Sequence, residues 1–151
     1  MHKKARILLT GGGSAGHIIP NLAVASAINK QPKIGEIFYI CSRKALDKNI
    51  LSPTGIPFRQ IFAGKLRRYF SWRHFTDPFL VLVGFFQSLA TILSFKPNVV
   101  FSKGGYVSLP VVLAAFLLRK PIILHESDSR MGLANRISAK FAKKVCVAFP
   151  N

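Results

Sequence analysis

The chain has 151 residues, half of them hydrophobic, and its 22 Lys and Arg against five Asp and Glu give a formal charge of +17. A chain of this length and apolar share can bury a substantial core, which excludes a disordered polypeptide. The excess of positive charge indicates an anionic partner: a nucleic acid, an anionic lipid or a phosphorylated substrate. Thirteen Phe residues favour a membrane surface, where apolar area and basic charge act together.

Short runs rich in Ile, Val and Phe alternate along the chain with helical patterns. Strands are predicted at 6–10, 37–41, 58–62, 99–102, 122–125 and 145–148, and helices at 21–30, 46–51, 77–95, 109–118 and 133–142. This alternation predicts an α/β fold: a Rossmann-like parallel sheet with helices on both faces. Right-handed crossovers bring the carboxyl ends of the strands to one edge, where open α/β sheets bind ligands.

The first predicted strand runs into a glycine-rich loop, LLTGGGSAGHIIP, at residues 8–20. Gly11, Gly13 and Gly16 match GxGxxG, a pattern that lets backbone amides approach a phosphate at a helix N-terminus. A dinucleotide site also needs an acid at the end of the second strand, where this chain has Cys-Ser-Arg. Two alternatives therefore stay open: an NADP module in which Arg43 faces the 2′-phosphate, and a glycine turn without a ligand.

His17 follows this loop at the start of the next predicted helix. The helix dipole disfavours a cation there, so a neutral imidazole could accept a proton at the ligand-binding edge. The alternative is a histidine that only caps its own helix.

A second loop, Ser-Lys-Gly-Gly-Tyr at 102–106, follows another predicted strand at the same edge. Lys103 offers a cation, and Gly104 and Gly105 allow a close backbone approach. Tyr106 is either part of this site or a packing aromatic.

A third loop, His-Glu-Ser-Asp at 125–128, holds two of the five acids directly after an apolar strand. Carboxylates at this place can hydrogen-bond sugar hydroxyls or hold a base in one tautomer. A cap of the following helix could account for Asp128 but not for His125 and Glu126.

A basic and aromatic segment, GKLRRYFSWRHF at 64–75, directly precedes the predicted helix at 77–95. This composition is typical of a surface for single-stranded nucleic acid or of a membrane-interface anchor. The neighbouring uncharged helix favours the membrane and disfavours nucleic acid. The residues assigned to the membrane interface are Lys65, Arg67, Arg68, Tyr69, Phe70, Trp72 and Arg73.

That neighbouring helix has no charged residue from 78 to 95, which is the short end of a membrane span. Gly84, Gln87 or Ser88, Thr91 and Ser94 nevertheless recur at helical spacing. This polar stripe predicts a helix packed on the sheet rather than one that crosses a bilayer.

Taken in order, the three loops resemble the N-terminal domain of the MurG family of bacterial glycosyltransferases. The resemblance rests on GGGSAGHIIPNLAVA, FSKGGYVSLPVVLAA and HESDSRMGLANRISAKFA, and GKLRRYFSW is similar to the form in some Gram-positive bacteria. It implies one half of a GT-B fold and an inverting transfer that needs neither a metal nor a cofactor. The sugar passes from UDP-GlcNAc to the C4 hydroxyl of MurNAc in undecaprenyl-pyrophosphoryl-MurNAc-pentapeptide (lipid I), which gives lipid II for peptidoglycan.

The resemblance also implies roles for individual residues. His17 matches a histidine required for activity and is the candidate general base, with Glu126 as its rival. Asp128 stands where many members have an asparagine that binds the donor sugar. Donor-sugar contacts are expected from Ser14, Ala15, Gly16, Asp128 and Asn135. Contacts to the acceptor and its pyrophosphate are expected from Gly12, Gly13, Lys103, Gly104, Gly105 and Tyr106.

Residues 1–151 correspond to the acceptor-binding half of such an enzyme, without the C-terminal domain that grips the nucleotide. We therefore expect a C-terminal GT-B domain in cis or in trans, and negligible turnover by this chain alone. The expected location is peripheral, on an anionic cytoplasmic membrane face. The alternative within the same fold is a non-catalytic subunit that recruits a partner to the membrane.

Overall fold

The computed structural model describes residues 4–65 and 76–149. Helices and strands alternate through both parts, as the sequence predicts. The elements are β1 (Ala5–Thr10), α1 (Ala15–Asn29), β2 (Ile34–Ser42), α2 (Ala45–Leu51), β3 (Phe58–Ile61), α3 (Asp77–Phe95), β4 (Val99–Ser102), α4 (Ser108–Leu117), β5 (Ile122–Glu126), α5 (Leu133–Ala139) and β6 (Lys144–Val147).

All six strands form one parallel sheet in the order β3-β2-β1-β4-β5-β6. The order reverses between β1 and β4, because the chain adds strands on one side of β1 and then crosses over to the other side. Ligands in open α/β sheets bind at the carboxyl edge beside such a reversal. The predicted fold class is confirmed, and the loops after β1 and β4 lie next to each other.

The core lies on both faces of the sheet, and neighbouring strand residues supply opposite faces. Leu8 and Ile40 point to the face covered by α3 and α4, while Leu9 and Cys41 point to the face covered by α1 and α2; all four are fully buried. Successive side chains of a strand alternate between faces, so a sheet covered on both sides needs unbroken apolar strands. These are the runs that mark the strands in the sequence.

The helix α1 begins at Ala15, six residues before the predicted start at 21. The prediction placed Pro20 in the first turn, where its missing N–H costs nothing. In the structure Ser14 takes the cap position with an extended backbone, and Pro20 lies inside the helix. The lost hydrogen bond would have gone to the carbonyl of Gly16, an exposed residue that water can solvate. His17 is thereby the third residue of α1.

The helix α3 turns its small and polar residues inward. Gly84, Ser88 and Thr91 are buried against the body of the domain, as the polar stripe predicts, whereas Ser94, the last residue of the predicted stripe, is exposed. Ser88 and Thr91 donate their hydroxyl hydrogens to carbonyl groups one turn back in the same helix, so no polar group of theirs needs water. The helix is long and apolar enough to cross a membrane by length and composition, but this face packs on α4 and β3.

The outward side of α3 is apolar instead. It exposes two phenylalanines and two leucines, with Phe79 at 66% exposure and Phe86 at 58%. The exposed apolar side chains of this face are Phe79, Leu82, Phe86 and Leu93. Because a helix on a water-facing surface normally has the opposite polarity, this face needs an apolar partner.

Replacing Gly84 by Ala tests the close packing of α3. A Cβ at this position would collide with the backbone carbonyl of Phe62 and touch the Pro110 ring. We expect Gly84→Ala to lower the free energy of unfolding by about 1–3 kcal/mol, the usual effect of overpacking. Chemical denaturation measures this, with Gly132→Ala as control because nothing lies within 4 Å of its Cβ. An unchanged midpoint for Gly84→Ala would contradict the packing described.

Candidate functional site

Buried side chains of β2 and α1 hold the start of the first glycine loop in place. Tyr39 donates its hydroxyl hydrogen to the Gly11 carbonyl at 3.0 Å, and Asn21 donates to the Thr10 carbonyl at 3.0 Å and to the Tyr39 hydroxyl at 2.8 Å. Burial raises the pKa of Tyr39 well above its usual value, so the phenol keeps its donor hydrogen at neutral pH. The loop thus leaves β1 in one defined direction.

Farther along, Gly13 is held by a carboxylate from α2. The Gly13 N–H donates to both oxygens of Asp47, at 3.1 and 2.9 Å. The amide and hydroxyl of Ser42, at the end of β2, donate to Asp47 Oδ2 at 2.9 and 2.6 Å. In a dinucleotide-binding fold the ribose lies beside the ends of β1 and β2. In this chain the Asp47 carboxylate lies between them, bonded to Gly13 and to Ser42. This geometry disfavours the NADP alternative.

His17 is linked to the residue that caps its own helix. Its Nδ1 lies 2.7 Å from Ser14 Oγ, a hydrogen bond whose direction depends on the tautomer. If Nδ1 carries the hydrogen and donates it to Ser14, then Nε2 is free to accept a proton. In that tautomer the imidazole is tied to the helix start and keeps a free acceptor nitrogen, so this geometry is compatible with both alternatives for His17.

The second loop packs directly on the first. A Cβ at Gly105 would lie 2.7 Å from the Gly12 carbonyl and 3.3 Å from the His17 ring, and Gly105 has a positive φ of 82°. Tyr106 lays its ring against Gly13, so that Gly13 also has no room for a side chain. Backbone contact of this kind requires glycines, and it brings the two loops to the same histidine.

Lys103 is buried at 2% exposure and donates from Nζ to Ser127 Oγ at 2.9 Å. Its backbone N–H donates to the Thr10 carbonyl, so the residue joins all three loops. No carboxylate of the described residues forms an ion pair with Lys103. A buried ammonium with one hydroxyl partner has further hydrogens to offer to an anion.

In the third loop, Glu126 is 5% exposed, and both oxygens of its carboxylate accept a hydrogen bond. It accepts from the Asp128 N–H at 3.0 Å and from Asn135 Nδ2 at 2.8 Å. Asn135 also packs against Gly104, where a Cβ would collide with its amide. Asn135 thus lies behind Glu126 in the interior, while Asp128 is exposed at the edge.

Electrostatics separates the two candidate bases. Burial lowers the pKa of His17, and the Lys103 charge lowers it further, against smaller opposing effects of Asp128, Glu126 and Asp47. Burial raises the pKa of Glu126, but hydrogen bonds from Asp128 and Asn135 and the Lys103 charge outweigh it, so the net shift is downward. At neutral pH His17 is a neutral acceptor, and Glu126 is an ionised carboxylate each of whose oxygens already accepts a hydrogen bond.

The structure brings most of the predicted residues together at one edge. Ala15 and Gly16 are exposed at the first turn of α1, beside Ser14. Gly12 borders Asp47, and Gly13 has its amide bonded to that carboxylate, so a pyrophosphate contact by the Gly13 N–H would require Asp47 to move. Among the interface residues, Lys65 is described and its Nζ lies 5.5 Å from the Tyr106 ring centroid. The remaining six, Arg67, Arg68, Tyr69, Phe70, Trp72 and Arg73, lie outside the described residues.

Residues that the sequence did not single out complete the site. Asp47 accepts from Gly13 of the first loop and is held by Ser42, Ser127 accepts from Lys103, and Lys44 donates from Nζ to the Gly13 carbonyl at 2.6 Å. Lys44 and Tyr106 also line a cavity of about 240 Å³ beside the glycine loop. Its other lining residues are Ser42, Arg43, Ile61, Phe62 and Ala63. The scarcity of acids in the chain was the available signal for Asp47.

A larger cavity of about 660 Å³ lies elsewhere, at the opposite edge of the sheet near Gly35 and Ile56. It is remote from the three loops, so we do not assign the reaction to it. In residues 4–65 and 76–149, no three His, Cys, Asp or Glu side chains are grouped so that they could hold a metal ion.

The chain is similar in sequence to bacterial transferases of greater length. It is 48% identical over 148 residues to the UDP-N-acetylglucosamine--N-acetylmuramyl-(pentapeptide) pyrophosphoryl-undecaprenol N-acetylglucosamine transferase of Clostridium tetani, and 51% identical over 146 residues to the protein of the same name from Clostridium kluyveri. These matches cover 97% and 96% of the chain. The chain spans about 40% of the length of both relatives.

Solved structures show a similarity that agrees with the sequence matches. The crystal structure of Acinetobacter baumannii MurG matches with a TM-score of 0.84 and 30% identity, over 97% of this chain and 42% of that one. A UDP-N-acetylglucosamine 2-epimerase from Listeria monocytogenes shares the fold alone, with a TM-score of 0.70 at 13% identity over 94% of this chain and 38% of that one. Residues 7–147 match the model of the glycosyltransferase family 28 N-terminal domain. The three loops, the sheet order and these matches agree, and the chain belongs to glycosyltransferase family 28.

Proposed function

We propose that this chain supplies the acceptor-binding half of an enzyme that transfers GlcNAc from UDP-GlcNAc to lipid I, giving lipid II. The observation that carries the proposal is the meeting of three strand-end loops around one neutral imidazole, in a chain half identical to transferases of that name. The nucleotide would be held by a C-terminal domain, in cis or in trans, that closes over this edge.

In the proposed reaction, His17 acts as the general base. Its Nε2 takes the proton from the C4 hydroxyl of MurNAc as the oxygen attacks the anomeric carbon of GlcNAc, and UDP leaves with the bonding electrons. Attack from the face opposite the leaving group inverts the anomeric centre, which requires no metal or cofactor of the chain. The lowered pKa of His17 keeps it unprotonated at neutral pH. Glu126 is the weaker candidate because its oxygens already accept two hydrogen bonds.

The substrates' charged and polar groups would meet matching side chains. Lys103 and the exposed Lys44 face the place where the acceptor's diphosphate would lie, with Tyr106 between the loops. Ser14 and the exposed Asp128 are the donor-sugar candidates. The Ser14 hydroxyl contacts His17, and the Asp128 carboxylate is close enough to raise the pKa of His17. Asn135 would act on the sugar only through Glu126.

Attachment to the membrane would use the outward face of α3. Phe79, Leu82 and Phe86 form an apolar strip, and Gly64, the residue before Lys65, packs against the Asp77 backbone at the start of this helix. Apolar side chains among lipid headgroups together with basic residues near anionic lipid are typical of peripheral membrane proteins, at about 1 kcal/mol for each Lys or Arg near the surface. The bilayer face would be the cytoplasmic one, where UDP-GlcNAc is available.

A transfer assay tests the proposal. The substrates are radiolabelled UDP-GlcNAc and a lipid I analogue, and the samples are this chain alone and this chain joined to the remaining segment of the Clostridium tetani relative. We expect product only from the joined protein. His17→Ala should lower kcat by about 10²–10⁴-fold, the usual contribution of a general base. Lys140→Ala, at an exposed residue outside the site, is the control.

Two outcomes would contradict this. Transfer by His17→Ala at near-normal rate, with a thermal midpoint like that of the parent, would remove the base role. No transfer by the joined parent protein, despite binding to vesicles, would favour the non-catalytic recruiting subunit.

The pH dependence of the joined enzyme is a separate prediction. Since the pKa of His17 is lowered from 6.5, kcat/KM should stay high through neutral pH and fall only below that value, as the imidazole gains a proton. Lys103→Gln removes a charge that disfavours imidazolium, so the pKa of His17 rises and the acidic fall moves to higher pH. An acidic limb unchanged in Lys103→Gln, or moved to lower pH, would count against this assignment.

Membrane attachment is tested with the 151-residue chain and vesicles. Phe79→Ser combined with Phe86→Ser should reduce co-sedimentation with phosphatidylglycerol-rich vesicles, because the strip loses its two large aromatic rings. Leu46→Ser is the matched control, an exposed apolar residue on α2 that covers the other face of the sheet. Equal binding by the parent and the double variant would refute the strip as the attachment surface.

A further inference from the structure

Asp47 is a buried carboxylate in a chain of net charge +17. It is 0% exposed and forms no ion pair with any Lys or Arg of residues 4–65 and 76–149. A buried charge without a counter-charge costs several kcal/mol unless hydrogen bonds replace its water. Here the Gly13 N–H, the Ser42 N–H and the Ser42 hydroxyl replace it.

These three donors form the kind of site that backbone amides make for a bound anion. In many α/β folds a glycine-rich loop after the first strand turns its amides toward a phosphate of the ligand. In this chain the anion is part of the protein. Asp47 also explains why residue 12 is a glycine, because a Cβ there would collide with Asp47 Oδ2.

Gly13 is also held on its other sides. Lys44 Nζ donates to its carbonyl at 2.6 Å, and the Tyr106 ring covers its Cα. Gly13 has a positive φ of 84°, a backbone conformation that few other residues adopt. The next residue, Ser14, caps α1 and bonds to His17 Nδ1. The orientation of the Gly13 peptide therefore determines the position of Ser14 and, through the hydrogen bond of Ser14, the position of the His17 imidazole.

We propose that Asp47 is a positioning residue: its carboxylate takes the place of a bound anion under the first glycine loop and orients Ser14 and, through it, the imidazole of His17. The loop is then ordered before substrate arrives, and the diphosphate of the acceptor binds to side-chain cations rather than to the Gly13 amide. The catalytic consequence rests on the proposed role of His17, but the effect on the imidazole does not.

The test uses ¹⁵N NMR of the histidine side chains in the 151-residue chain without substrate. Signals of His17 are assigned by their loss in His17→Gln. In the parent chain we expect one dominant tautomer, with hydrogen on Nδ1. In Asp47→Ala the Gly13 amide loses its acceptor, so the His17 nitrogen shifts should move toward those of Ser14→Ala. Formate, which fits the vacated carboxylate position, should return them toward the parent values.

Glu36→Ala is the matched control, because Glu36 pairs with Arg6 at the other edge of the sheet. It should leave the His17 shifts unchanged, with or without formate. If Asp47→Ala does not fold, Asp47→Asn, which has the same volume, takes its place in the same comparison. A folded Asp47 variant with the His17 shifts of the parent chain would overturn the proposal, and so would altered shifts that formate does not restore in Asp47→Ala.

The joined enzyme gives a second readout. A displaced base lowers kcat by up to about 10²-fold. Formate should recover part of the loss in Asp47→Ala but none of the loss in His17→Ala. Because the NMR comparison involves no turnover, it decides the role of Asp47 even if the joined protein transfers no sugar.

Discussion

The site depends on the close approach of two backbones, those of the first and second glycine loops. Gly105 comes so near to the Gly12 carbonyl and the His17 ring that a single methyl group would separate them. This contact is possible because β1 and β4 are neighbours at the point where the strand order reverses. Lys103 and Ser127 then attach the third loop to the other two. One histidine is thereby surrounded by residues from three separate βα units.

The distribution of the acids explains much of the chain's electrostatics. Asp47, Asp77 and Glu126 are buried, and Glu36 pairs with Arg6, so little negative charge is left to offset the basic surface. Each buried carboxylate that the structure describes in the site serves the protein's own backbone or amides rather than solvent. Beside His17 the cation is Lys103, which adds to burial in lowering the pKa of the imidazole, while Asp128, Glu126 and Asp47 oppose it.

The fold was predictable from the sequence because most strands contain a short apolar run, and because the loops after β1, β4 and β5 begin with glycine or a polar residue. The loops at His17, Gly105 and Glu126 were predictable for the same reason. Asp47 was not, since it lies 34 residues from Gly13 in the chain and meets it only after β1 and β2 pair. The start of α1 was misjudged because Pro20 also satisfies the rule for a first turn, and the Ser14 cap becomes evident only from backbone angles.

The direction of α3 determines how the apolar strip lies relative to the three loops. The helix follows β3 and therefore begins at the carboxyl edge of the sheet, where the Asp77 backbone packs against Gly64, and it runs back toward the start of β4. Phe79 is thus at the end of the strip nearest the three loops, and Phe86 lies farther from them. Under the proposed function, a bilayer that receives this strip would lie alongside the domain, with the three loops at the level of the headgroups. A lipid-linked acceptor would then enter by sideways diffusion in its own leaflet, with its hydrocarbon chain never exposed to water.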